Sequence, residues 1–144
     1  VQLTPSNSSM VGAMLVSVWI HSVGKITQFQ KTFAPDCADP LQALVDVLQR
    51  DPVLIPSFYK LDAHGRKVIL DALKTELNFN FGQFLQTENL PASLENVKKV
   101  LGHRESASNI LGFFLCRTFG TMCGIGFKNQ GCAFMKEVEY TLFK

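Results

Sequence analysis

No charged residue occurs between Met10 and Ile20, and that stretch constrains the fold more than any other part of the chain. Met10, Val11, Met14, Leu15, Val18, Trp19 and Ile26 recur at three-and-four spacing, the signature of a helix. Its first half is apolar nearly all round, which predicts a central, buried helix running from about Met10 to Lys31, with Ser8 or Ser9 as N-cap. His21 and Lys25 end the apolar run after about eleven residues, short of the ~20 that a bilayer span takes. No basic segment precedes it, so it does not have the form of a secretory signal either. Residues 1–9, with Pro5 and three serines, read as a flexible leader.

A second run of the same kind lies near the other end. Ser106 or Ser108 introduces Ile110, Leu111, Phe113, Phe114, Leu115, Cys116, Phe119 and Met122, again apolar on nearly all sides. Between the two runs the segments are amphipathic and punctuated. Asp39-Pro40 starts a helix that ends near Arg50, the Asp as cap and the Pro at the first helical position, where its missing N–H costs nothing. Asp51–Leu61, with Pro52 and Pro56, reads as a short helical turn or an irregular crossover, and Asp62 caps the helix carrying Val68, Ile69, Leu70, Leu73 and Leu77. Asn78-Phe79-Asn80-Phe81 alternates like a strand, but four residues cannot make a sheet alone, so a bend is expected there. Pro91 opens another helix, with Leu94, Val97, Val100 and Leu101 facing inward and Gly102 ending it. Gly120, Gly124 and Gly126 loosen the second apolar run, 128–131 is a turn, and a last helix starts near Cys132. Together these predict an all-α fold: one domain over residues 10–144, an irregular bundle of about six helices with two central apolar ones. The chain begins at Val1 and stops at Lys144 inside a helical run, which leaves open that it is a fragment of something longer.

Charge excludes one function class. Lys and Arg against Asp and Glu number two and two over residues 1–40, seven and seven over 41–103, and five and three thereafter, so no basic stripe forms for nucleic acid. Cys37, Cys116, Cys123 and Cys132 form no CxxC pair, and a chain of this length can build a core without disulfide staples. They read as free, mostly buried thiols of an intracellular, cytoplasmic protein.

Candidate chemistry is sparse. His21-Ser22-Val23-Gly24-Lys25 resembles the H-D-x-G-K signature of the HD-type metal phosphohydrolases, which are also all-helical. Ser22 stands where that family has its metal-binding Asp, and a neutral hydroxyl is a poor ligand for a hard divalent ion. The resemblance therefore implies a degenerate member without catalysis. His21, His64 and His103 are the only histidines, and a three-histidine metal site built from them is the weak metal candidate. No cofactor is called for.

The aromatic set points elsewhere. Twelve Phe stand against two Tyr and one Trp, and a Phe ring is either core or a greasy binding surface. Phe79, Phe81, Phe84, Phe113, Phe114, Phe119 and Phe127, with Met122, are the residues expected to line a pocket, and His103 and Arg104 are its candidate polar groups. Three functions follow in order. The first is a non-enzymatic intracellular helical domain acting by protein–protein interaction or regulation; the second, a binder of an apolar small molecule or lipid in a Phe-lined cavity; the third, the degenerate phosphohydrolase-like protein.

Overall fold

The computed structural model of the chain describes residues 5–81, 90–102 and 107–124, and every regular element among them is helical. The order is α1 (Pro5–Ile20), a 3-10 turn at Val23–Lys25, α2 (Thr27–Phe33), α3 (Pro40–Arg50), a 3-10 turn at Pro52–Leu54, the single turn α4 (Pro56–Tyr59), α5 (Ala63–Asn78), α6 (Leu90–Leu101) and α7 (Ala107–Gly124). The fold is all-α. It divides into two compact units, Val1–Lys74 and Thr75–Lys144, with α5 running through the division. The turn expected at 128–131 and the last helix lie outside the described residues.

In the first unit α3 is the buried element. Asp39 caps it as its sequence predicts, its carboxylate accepting from the backbone N–H groups of Leu41 and Gln42 at 2.8 Å each, with Pro40 at the first helical position. Ala43, Leu44, Val45, Val47 and Leu48 are all buried, a face wide enough to be covered from several sides. On one side Phe29, Phe33 and Cys37 pack over Ala34, Ala43 and Val47, with the two rings 5.4 Å apart. Arg50 then donates to the carbonyl of Phe33 at 2.5 Å and ties the ends of α2 and α3 together.

The long first helix predicted for Met10–Lys31 is in fact two helices. α1 starts at Pro5, inside the segment expected to be a leader, where a proline is well placed in a first turn. It stops at Ile20, and Ile26 takes an extended conformation (φ −74°, ψ 113°) before α2 begins. Gly24 explains the break. It is buried, and a Cβ built on it would collide with the carbonyl oxygen of Pro40, lie 2.9 Å from that carbonyl carbon and 3.2 Å from the Cβ of Leu44. The turn between α1 and α2 is thus pressed directly onto the first turn of α3, and only a residue without a side chain fits.

The segment between α3 and α5 is irregular as expected. Asp62 caps α5: its carbonyl accepts from the N–H of Arg66 at 3.1 Å and its carboxylate from the N–H of Gly65 at 2.6 Å. In the second unit, Phe79 and Asn80 break the helix and Phe81 re-enters it, so the alternating stretch is a bend. Gly102 follows α6, its N–H on the carbonyl of Lys98 at 2.6 Å. Leu94, expected to face inward, is half-exposed instead.

Gly24→Ala should destabilise the protein by about 1–3 kcal/mol in urea denaturation, the usual cost of forcing atoms into a filled site. Gly112→Ala, inside α7, is the control: nothing lies within 4 Å of the added Cβ, so it should raise stability by about 0.5–1 kcal/mol through helix propensity alone. Equal effects of the two changes would refute this account of the break.

Candidate functional site

α1 does not have the all-round burial that its composition predicts. Its deep side holds Ala13, Ser17 and Ile20, all small or at the helix end, and three of its large side chains point outward. Val11, Leu15 and Trp19 are 47%, 60% and 83% exposed. They recur every four residues and so form one row along the helix. Other large apolar side chains are exposed at Ile26, Val53, Leu54, Tyr59, Leu94 and Phe119, but among the described residues only α1 sets three in one such row. Fully burying a side chain of this kind is worth about 1.5–3 kcal/mol, so the row withholds on the order of 4 kcal/mol that a covering surface would recover.

Two contacts fix how α1 presents this row. Ala13 is 3.4 Å from the position a Cβ would take on Gly65, so α1 lies close against the first turn of α5. Beside it, Ser9 donates its hydroxyl to the Asp62 carboxylate at 2.7 Å. The Asp62 carboxyl is held below the ordinary aspartate range, first by the Gly65 N–H and next by the Ser9 hydroxyl. The row thus sits on a helix tied down along its opposite side.

Three of the Phe residues expected to line a pocket meet in the second unit. The rings of Phe79 and Phe81 are 6.1 Å apart, and both meet Phe114, at 6.0 and 6.4 Å. Phe79, Phe113 and Phe114 are buried and Phe81 half-buried, whereas Phe119 is half-exposed on the far side of α7. Phe84, Phe127, His103 and Arg104 lie outside the described residues, as does the side chain of Met122.

A residue that the sequence reading passed over stands in this cluster. Arg117 is 1% exposed, and one of its terminal nitrogens donates to the carboxylate of Glu76. Its guanidinium carbon lies 5.6 Å from the centre of the Phe114 ring, within cation–π range. The remaining donors, Nε and Nη1, find no acceptor among the described residues. A buried guanidinium left partly unsatisfied is costly, so these donors call for water or for a polar group from elsewhere. The only sequence signal was one Arg inside an otherwise apolar helix.

Of the three histidines weighed as metal ligands, His103 lies outside the described residues. His64 is exposed at the start of α5, as its helix-start position predicts, and His21 is half-buried at the end of α1. Among the described residues no three His, Cys, Asp or Glu side chains gather within ligand reach of one point. Gly24 of the His21–Lys25 stretch has its packing reason against Pro40, which needs no metal. Cys37 and Cys116 carry free thiols, and Cys116 is exposed, contrary to the buried setting expected for it. No single helix among the described residues is long and apolar enough to cross a membrane.

Residues 3–111, more than half of the chain and including all of the exposed row on α1, match a family of unknown function (DUF6829). The chain belongs to this family. No curated protein and no solved structure matches it.

The tether beneath the row is acid-sensitive. Because the folded Asp62 carboxyl titrates below its unfolded value, its contribution is fully present above the ordinary aspartate range and is lost as pH falls through the lower, folded value. Asp62→Asn should lose that pH-dependent part, leaving a shallower fall in thermal stability on acidification below the ordinary aspartate range. Identical acid profiles for the two proteins would sink the assignment.

Proposed function

We propose that the chain is a non-enzymatic helical interaction domain that docks a protein partner on the exposed row of α1. The observation that carries this reading is Val11, Leu15 and Trp19 standing exposed in line on a helix with no charged residue from Pro5 to Ile20. Trp is among the side chains most enriched where protein interfaces concentrate their energy, and the chain's single Trp is the most exposed large apolar residue among the described ones. An exposed free thiol at Cys116 fits the reducing interior of a cell, so the domain is read as intracellular and cytoplasmic.

A photo-crosslinking amino acid placed at Leu15 in living cells should give discrete protein adducts. The same group at Gln49, an exposed polar position on α3, should not. Equal labelling from both sites, or none from Leu15, would end the docking reading.

One observation favours a second reading, an apolar ligand with a carboxylate head. The Nε and Nη1 donors of Arg117 lack acceptors among the described residues, beside the Phe79, Phe81 and Phe114 rings, the mixture of apolar wall and few polar groups that ligand sites use. Decanoate should then raise the thermal midpoint of the protein, and Arg117→Met should abolish the rise. An unchanged midpoint in the unsubstituted protein discards this reading whatever the variant does.

A further inference from the structure

The exposed row on α1 has a shape as well as an area. Its centre is Leu15, with Val11 one turn before and Trp19 one turn after. Gly12 and Trp19 are seven residues apart, so they differ in direction by only about 20° and lie on the same flank of the row. Gly12 is a notch on that flank, since nothing stands within 4 Å of where its Cβ would be. The helix thus carries a large projection at one end of the row and an empty place at the other, on one side of a common centre.

That arrangement fits a second copy of itself. When two helices pair antiparallel about a two-fold axis, each residue keeps its flank and reverses its distance from the centre. With Leu15 at the centre, Trp19 of one copy comes opposite Val11 of the other and beside the notch at Gly12. The reciprocal contact forms at the other end. Charge agrees with this pairing. A face turned on its own copy brings like charges near one another, and α1 is the only described helix of eight or more residues that has no charge to repel.

We infer that α1 is the seam of a homodimer, paired antiparallel across Leu15 with each Trp19 seated over Gly12 of the other copy. The inference rests on the docking reading of the same face and names its occupant. A lipid surface is the weaker fit: helices that lie on membranes carry Lys and Arg along their polar face, and α1 has neither.

Gly12→Leu separates this geometry from simple stickiness. It adds apolar surface in open space and raises helix propensity, so the monomer keeps its fold, yet it fills the place where Trp19 must sit. Sedimentation equilibrium of the unsubstituted chain should show a dimer. Gly12→Leu should weaken that dimer roughly tenfold or more, as Leu15→Glu should, with the far-ultraviolet circular dichroism of both unchanged. The emission of Trp19 should shift to the blue as the unsubstituted protein associates, and stay that of a water-exposed indole in Gly12→Leu. A chain that remains monomeric at millimolar concentration overturns the inference. So does a dimer that Gly12→Leu leaves intact or tightens. In either case discrete adducts from Leu15 to a different protein would keep the docking reading alive. A blue shift seen only with neutral phosphatidylcholine vesicles would assign the row to lipid and overturn the dimer.

Discussion

The close approach of Gly24 to the carbonyl of Pro40 is the contact on which the first unit turns. It brings the end of α1, the start of α2 and the capped first turn of α3 to one point, and it leaves no room for a side chain. Asp39 and Pro40 prepare that point by fixing where α3 begins, because the cap satisfies two backbone donors and the proline needs none. With the turn seated there, α1 cannot continue straight into α2. Between Ser9–Lys25 and Thr27–Phe33 the helical path turns by 81°. α1 therefore runs nearly perpendicular to α2 and keeps one of its faces exposed.

Much of this was legible and some was not, for a physical reason in each case. Caps and breakers are local, so Asp39, Asp62, the irregular stretch after Arg50 and the end of α6 at Gly102 follow from a few neighbouring residues. Continuity of a helix is also judged locally, and there the same logic misleads. Nothing within residues 20–26 forbids a helix; the break is imposed by Pro40, distant in sequence but in contact through Gly24. The α1 start at Pro5 was missed because polar serines look like a leader, although a proline and short polar side chains serve equally well in a first helical turn.

The candidate sites divide in the same way. Phe79, Phe81, Phe113 and Phe114 are picked out by composition, and the rings of Phe79, Phe81 and Phe114 share one cluster because α7 brings Phe114 against a bend that carries the other two. Arg117 escaped notice because a single charge in an apolar run reads as a surface residue. Its burial depends on Glu76, forty-one positions away and supplied by another helix. A charge without its partner would not remain in such a place, and no periodicity rule finds that partner.

The face of α1 shows most plainly why composition and burial differ. An uncharged helix is economical only if something covers it, and sequence alone assumes that the covering comes from the same chain. Here the chain covers the side of Ala13, Ser17 and Ile20, where small side chains allow α5 to come close. A surface helix under no other demand would carry Lys, Glu or Gln at the positions of Val11, Leu15 and Trp19, at no loss of helix propensity and with a gain in solubility. Three large apolar side chains there leave much of their surface in water. The apolar character of the run is therefore divided between two tasks. One side folds the domain. The other is available to whatever the domain meets, and its Gly12 notch and Trp19 projection give that meeting a definite geometry.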